Sequence, residues 1–524
     1  MIRHTFLAAF FVASGSVASA QEHVHPPGSG EKLGTVHFPT SCSPSVAPQF
    51  DRAIALLHSF EFGEAIKGFG QVLAADSSCA MAHWGIALSR WSNPVAAGNR
   101  APEPLRLGRI ATESATRLSA RASEREKGYI AAVAELYNNF ETVAQPARIA
   151  AYERAMGELV AKQPTDTEAK VFHAISLVAS ASPTDKTYAN QRKAGKILEP
   201  LWKEQPNHPG LAHYIIHTYD YPALASDASA AANQYATIAP SAAHALHMPS
   251  HIFTRTGQWT QSVDTNLRSI DAATKTASIA EALHASDYAT YAYLQMRRDD
   301  LAKEIVDRLP ALAARFDVNA VTGAAPGSAG VFALAAIPAR YALEREAWAD
   351  AAKLAAKPSG FPWTEAMTYF ARSIGASRTG DFANARIAVD SLAAARDRLA
   401  TQNEAYWTEQ VAIQHLVAQA WLDLTEGRKD LALTRMREAA TREDATEKSA
   451  VTPGPLAPAR ELLGDMLMQL GRPAEALAEY QRTLVKEPNR YRALAGGVRA
   501  AAAAGDRTTE AALRAKLTAL TGRA

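Results

Sequence analysis

Histidines occur in this sequence as two HxxxH pairs separated by a fixed interval. His213 and His217 form the first pair, and His247 and His251 follow 34 residues later. Histidine accounts for only 15 of the 524 residues, so two such pairs in register are not expected by chance. Side chains four residues apart on a helix project from one face. Each pair is therefore predicted to present two imidazole rings together.

Neutral imidazole is a favoured ligand of Zn²⁺ and Cu²⁺. The sequence therefore predicts a metal site built from six histidines: His213, His217, His244, His247, His251 and His284. Carboxylates such as Asp220 and Asp287 could complete it, and a solvated or capping role for them stays open. Pro249 interrupts the second pair, so that pair is expected to straddle a kink or a helix start. No HExxH motif is present, so the chain lacks the ready-made general base of a metalloprotease.

Two other interpretations of these histidines remain open at the level of sequence. The rings could pack against small alanine faces and bond to the backbone. They could instead line a pocket for an anionic ligand, with His173 and Arg255 as ligand-binding residues.

The elements that carry these residues are predicted to be helical. The chain is rich in Ala, the strongest helix former, and period-two runs of β-branched residues are scarce. We therefore expect an all-α fold. The net charge is +2, which lacks the basic excess of a nucleic-acid-binding protein.

The clearest repeat lies near the C-terminus, in the stretch GRPAEALAEYQRTLVKEP at 471–488. Small and large packing residues occur there at characteristic positions, namely Leu463, Gly464, Leu467, Gly471, Ala476, Tyr480 and Pro488. This pattern and the 34-residue interval resemble the tetratricopeptide-repeat family. The resemblance implies an α-solenoid of helix–turn–helix repeats whose first helices line a concave groove. It would place His213 and His247 in first helices.

The chain divides by composition into four parts. We predict a signal peptide at 1–20, an extended N-terminal segment at 21–48, and repeat arrays at 49–320 and 331–524, the first of which carries the histidines. The stretch HMPSHIFTRTGQW at 247–259 resembles one found in exported bacterial repeat proteins of unassigned activity.

The N-terminus predicts export. An apolar run too short to span a bilayer precedes Ala18-Ser19-Ala20, which is typical of a signal-peptide cleavage site. No later stretch predicts a membrane anchor, so the protein is expected in the periplasm or outside the cell. In an oxidising compartment the two cysteines, Cys42 and Cys79, are expected to form a disulfide. Cleavage would also leave His23 third in the mature chain, a position able to bind Cu²⁺ or Ni²⁺.

Three functions fit these features. The leading hypothesis is an exported binding module that takes a protein, peptide or small ligand into its groove, with a divalent metal, Zn or Cu, held by the histidines. The alternative is a metal-dependent hydrolase or oxidase centred on them. A purely structural scaffold is the third, and it predicts that the histidines do not converge.

Overall fold

The computed structural model describes residues 30–96 and 98–522, and these residues form helices without any strand. The predicted signal peptide and His23 lie outside them. The first part of the chain forms α1 (Ala47–His58), α2 (Phe62–Ala75), α3 (Ala80–Trp91), α4 (Pro102–Leu118), α5 (Glu124–Glu135), α6 (Gln145–Lys162), α7 (Thr167–Ala179) and α8 (Ala189–Glu204). Three short 3₁₀ helices occur at Pro44–Val46, Ser119–Arg121 and Ala225–Ala228.

The middle of the chain continues the series through the histidine-rich region. It forms α9 (Pro209–Tyr219), α10 (Ser229–Ile238), α11 (Ala243–His247), α12 (Pro249–Arg255), α13 (Trp259–Lys275), α14 (Ile279–Gln295), α15 (Asp299–Ala313), α16 (Gly327–Glu344) and α17 (Trp348–Ala352). The last part forms α18 (Pro362–Thr379), α19 (Phe382–Thr401), α20 (Ala405–Thr425), α21 (Lys429–Ala445), α22 (Ala459–Gln469), α23 (Pro473–Lys486), α24 (Tyr491–Ala504) and α25 (Arg507–Thr521).

These helices pack as successive helix–turn–helix pairs. Each first helix contacts its own second helix, each second helix contacts the following first helix, and α14, α16, α18 and α20 also contact one another in order. The predicted all-α solenoid of repeats is therefore confirmed. None of the helices in the described ranges is long and apolar enough to cross a membrane.

Local sequence explains how one such pair closes. At Gly464 on α22, a side-chain carbon would come within 2.8 Å of the Tyr480 ring on α23. The small residue lets the two helices approach while the aromatic ring fills the space between them, as the repeat pattern predicted. Gly471, in the intervening turn, has φ +72°, which favours glycine.

The N-terminal segment is tied to the repeats that follow it. The predicted disulfide is confirmed, with an S–S distance of 2.04 Å between Cys42 and Cys79. Thr35 N–H also donates to the carbonyl of Asn207 at 2.9 Å, and Phe38 is buried. Residues 30–43, which have no helix, thus pack along the array.

The solenoid winds tightly enough for distant repeats to touch. Helix α1 contacts α9, and α14 contacts α24. The Trp259 indole N–H donates to the carbonyl of Asn489 at 2.9 Å. As a result α14 is buried along its whole length, and the side chains it carries lie inside the molecule.

Candidate metal centre

Three neighbouring first-helix positions of the solenoid carry the six predicted histidines. Helix α9 holds His213 and His217, α14 holds His284, and the rest lie on α11 and α12. Pro249 begins α12, so the second HxxxH pair does straddle a helix start. The His247 and His251 rings nevertheless remain adjacent, with centroids 5.0 Å apart. Each of the six side chains is at most 5% exposed.

The first cluster, which we call the front triad, consists of His213, His217 and His244. One ring nitrogen of each lies within 4.8 Å of the others. The Nε2 atoms of all three are buried and have no hydrogen-bond partner among the described residues. Nitrogens around a tetrahedral zinc ion are separated by about 3.3 Å, given Zn–N bonds of about 2.0–2.1 Å. A modest contraction of the triad would therefore suffice.

In two rings of the front triad, hydrogen bonds fix which nitrogen carries the proton. The Nδ1 of His213 lies 2.6 Å from the carbonyl oxygen of His58, and the Nδ1 of His244 lies 3.0 Å from the carboxylate of Glu281. Both partners only accept, so each Nδ1 carries the proton and donates it. The Nε2 atoms of these two rings therefore present lone pairs to the centre of the triad.

The second cluster, the back triad, consists of His247, His251 and His284, whose ring nitrogens also lie within 4.8 Å of one another. His251 Nδ1 donates to the Asp220 carboxylate at 2.8 Å. His247 Nδ1 donates to the side-chain oxygen of Asn266 at 2.7 Å; the amide of Asn266 is oriented by its own donation to the Ser262 carbonyl.

These bonds leave two lone pairs facing each other in the back triad. The Nε2 atoms of His247 and His251 are 3.0 Å apart, yet both rings carry their proton on Nδ1. The third member, His284, adds a buried Nδ1 without a partner among the described residues. A cation between these nitrogens would convert the repulsion into coordination.

The two triads share one small cavity. The His244 and His247 ring centroids are 5.8 Å apart, and those of His217 and His251 are 6.1 Å apart. Members of both triads line a cavity together with Ala450 and Val451. It leaves about 10 Å³ for the centre of a water-sized sphere, which is room for a single small ligand.

A loop from the C-terminal part of the chain closes this cavity. We call residues 446–458, between α21 and α22, the crossing segment. The Tyr288 hydroxyl lies 3.2 and 3.1 Å from the carbonyl oxygens of Ala450 and Thr452, and the ammonium of Lys448 lies 3.2 Å from Asp220. The segment includes the proline-rich stretch VTPGPLAP at 451–458. In the fold, the segment covers histidines that were predicted to line a groove.

A histidine must be neutral to bind a metal, and burial favours the neutral form of five of the six rings. It lowers the pKa of five of the histidines below the usual value of 6.5, namely His213, His217, His247, His251 and His284. Burial would raise the pKa of Glu281, but the electrostatic attraction of the His244 ring and the hydrogen bond that its Nδ1–H donates outweigh it and lower that pKa to about 2. The acceptor behind His244 is therefore a carboxylate at neutral pH.

A third buried cluster has a different bonding pattern. Glu168 accepts from His58 Nε2 and from His208 Nε2, both at 2.9 Å. The other nitrogens are also satisfied, because His58 Nδ1 lies 3.1 Å from the Tyr214 hydroxyl and His208 Nδ1 accepts from the Leu211 N–H. This set, which we call the carboxylate triad, is a closed hydrogen-bond network.

The two residues predicted to bind an anionic ligand bond to different carboxylates. His173 on α7 bonds to Glu153 at 3.0 Å and belongs to none of the three clusters. Arg255 on α12 donates through Nε to Asp220 at 2.8 Å, so it supports the carboxylate that orients His251.

Sequence reasoning missed most of the groups that orient the six rings. Glu281 carried a usable signal, because it lies three residues before His284 on one helix. Asn266 on α13 and the carbonyl of His58 on α1 carried no sequence signal, since only the stacking of helices brings them to the site.

No protein-family model matches the chain, and no curated protein resembles it significantly. Similar solved structures include a monomeric mutant of IFIT1 with m7Gppp-AAAA, at 10% identity and a TM-score of 0.40, covering 92% of this chain and 96% of that one. The APC/C hetero-tetramer Cut9–Hcn1 has 12% identity, a TM-score of 0.37 and coverages of 87% and 76%. Yeast Tom70 has 12% identity, a TM-score of 0.36 and coverages of 90% and 99%.

Proposed function

We propose that this protein is a metalloprotein whose front and back triads each bind one transition-metal ion, Zn²⁺ or Cu²⁺, inside the solenoid. The observation that carries the proposal is the pair of Nε2 lone pairs of His247 and His251, 3.0 Å apart with both protons committed to Nδ1. A buried polar atom without a partner costs about 1–3 kcal/mol. Among the described residues, four ring nitrogens of the six histidines are buried without a hydrogen-bond partner.

The donor set supports these metals over others. Imidazole nitrogen suits Zn and Cu, whereas Mg²⁺ and Ca²⁺ require oxygen ligands. The bond from each Nδ1 to a carboxylate or carbonyl, seen for His213, His244 and His251, is the usual support for a metal-bound histidine.

Three protein ligands per ion leave a coordination position for a small molecule, as in catalytic rather than structural zinc sites. Both triads border the cavity that could hold such a molecule. This arrangement favours a metal-dependent enzyme, hydrolase or oxidase, over a scaffold of purely structural role. The solenoid then acts mainly as the frame of the centre, since the crossing segment occupies the place of the predicted peptide groove.

We further propose that the protein is exported to the periplasm or outside the cell. The signal-like N-terminus and the cysteine pair support this, because disulfides persist in oxidising compartments.

The test is metal analysis of the full chain, exported and purified without a histidine tag. We expect two equivalents of Zn or Cu per chain. After chelation, metal is added back to a free concentration of about a thousand times the Kd of a site. Each refilled site should then add about 4 kcal/mol to the free energy of unfolding. The variant carrying His213→Asn and His217→Asn should retain one ion.

The matched control is His208→Asn, which alters the carboxylate triad and should leave two ions bound. The proposal fails if the parent protein binds no ion and shows no thermal shift with either metal. It also fails if His208→Asn loses metal while the front-triad variant does not.

A further inference from the structure

A second, larger cavity lies on the other side of the crossing segment from the histidines. It leaves about 70 Å³ for the centre of a water-sized sphere, compared with about 10 Å³ in the histidine cavity. Lys448 and Thr452 line this cavity, whereas Ala450 and Val451 line the histidine cavity. The crossing segment is thus a wall common to both.

One wall of this cavity is aromatic. The indole rings of Trp363 and Trp407 stack with centroids 4.7 Å apart and planes 20° apart. Phe332 packs beside both, with centroid distances of 5.8 and 5.9 Å. Such a surface favours a flat apolar ring, through burial and ring–ring contact.

Two cations from different elements lie together in the lining. Arg255 from α12 and Lys448 from the crossing segment both bond to one carboxylate, that of Asp220, at 2.8 and 3.2 Å. Their side chains are only 4% and 5% exposed. Asp220 compensates one of these positive charges at short range, and Glu487, also in the lining, attracts both cations from further away. A ligand carboxylate placed at the two cations would accept charge-assisted hydrogen bonds from them.

The other charged lining residues are engaged with neighbours. Glu443 accepts from the Ala459 N–H at 3.0 Å, and Lys486 donates to the carbonyl of Glu443 at 3.2 Å. Glu487 lies 3.5 Å from the Tyr291 hydroxyl.

A further polar atom in the lining lacks a partner. The side-chain oxygen of Gln414 on α20 is buried without a hydrogen bond to any described residue. An unsatisfied acceptor in a pocket wall is a natural position for a hydroxyl donor from a ligand.

We propose that this cavity binds an aromatic carboxylate, with its ring against Trp363 and Trp407 and its carboxylate at Arg255 and Lys448. A ring hydroxyl would donate to Gln414. The inference goes beyond the metal centre and does not depend on it, because none of the six histidines lines this cavity.

Three probes of equal shape and different charge test the proposal on the metal-free full chain: benzoate, benzamide and benzamidine. Binding is followed by tryptophan fluorescence and ligand-observed NMR. We expect benzoate to bind at least tenfold more tightly than neutral benzamide, and benzamidine more weakly than both. We expect 4-hydroxybenzoate to bind more tightly than benzoate, and Gln414→Leu to remove that difference.

Two lysine variants separate a specific site from surface charge. Lys448→Met keeps the aliphatic stem and should weaken benzoate about tenfold, with benzamide unchanged. Lys429→Met, at an exposed lysine on α21, should bind like the parent. Thermal unfolding of each variant confirms that it is folded.

Equal affinities for the three probes, or tightest binding of benzamidine, would overturn the proposal. An equal loss of benzoate affinity in both lysine variants would also overturn the proposal. The metal proposal would survive either result, because its test counts ions.

Discussion

The molecule contains buried histidine clusters of two kinds, and their difference is one of hydrogen bonding rather than of burial. The carboxylate triad pairs two histidines with Glu168, and all four ring nitrogens have partners. The front and back triads contain histidine alone and turn their lone pairs inward. Converging histidines do not by themselves indicate a metal site. The informative quantity is the number of ring nitrogens that have no hydrogen-bond partner.

The electrostatics of the two kinds also differ. Burial alone would raise the pKa of Glu168, but the electrostatic attraction of the His58 and His208 rings and the hydrogen bonds that they donate outweigh it and hold that pKa well below its usual range. Both ring N–H groups of the carboxylate triad thus stabilise the ionised Glu168. Within the front triad no acidic group lies among the three ring nitrogens, so burial and mutual repulsion lower the pKa of His213.

The strongest test of this contrast removes Glu168. Glu168→Ala leaves two buried histidines without their acceptor, so we expect a loss of about 3–5 kcal/mol in the free energy of unfolding, measured by urea denaturation. Metal content should stay at two ions per chain. Glu153→Ala, at the partly exposed partner of His173, should cost about 0–1 kcal/mol. Loss of metal from Glu168→Ala would show that the carboxylate triad is itself a ligand set.

A smaller effect is expected from pH in the metal-free protein. Burial lowers the pKa of eight histidines, among them five of the six in the front and back triads, so acid protonates the unfolded chain before the fold and favours unfolding. A ring that stays neutral in the fold costs about 1.4 kcal/mol of stability at pH 5.5, because its unfolded pKa is about 6.5. Burial raises the pKa of Glu61 to about 8 and that of Glu443 to about 7. Both then bind protons in the fold, which offsets part of the loss.

We therefore expect stability to fall between pH 7.5 and pH 5.5, because the histidines outnumber the two carboxyl groups with raised pKa. The variant carrying His247→Gln and His251→Gln lacks two of these histidines, so its stability should fall by about 3 kcal/mol less than that of the parent over this range. Urea unfolding at the two pH values measures both. An equal pH dependence in parent and variant would mean that these rings are already protonated in the fold.

The smallest expected effect concerns the groups behind the ligands. Glu281→Gln keeps the shape of the acceptor of His244 but removes its charge, so metal affinity should fall about 10–100-fold. Glu153→Gln makes the same change behind His173, outside the triads, and should leave affinity unchanged. Competition titration against a chelator measures both. An unchanged metal affinity in Glu281→Gln would show that His244 is not a ligand of the metal.

Much of the frame and of the histidine set could be predicted from sequence, because both depend on local periodicity. The i, i+4 spacing of His213 and His217 and the 34-residue interval to His247 were sufficient to predict rings on neighbouring helices. The small and aromatic residues Gly464 and Tyr480 predicted a close helix pair. The cysteine count predicted the disulfide.

The groups that orient the rings could not be predicted, because they come from distant parts of the chain. The carbonyl of His58 lies 155 residues before His213, and Lys448 lies 228 residues after Asp220. Even the division into a front and a back triad depends on the stacking angle of α9, α11, α12 and α14, which no sequence interval specifies.

The sequence by itself determined that this chain folds into helical repeats and that six histidines occupy neighbouring repeats, since alanine content and spacing act along a single helix. Only the tertiary structure decided that those histidines are sealed inside the molecule with their lone pairs unsatisfied. The reason is physical: the winding of the solenoid and the path of the crossing segment set the acceptors and the exclusion of solvent, and both arise from contacts between residues far apart in the chain.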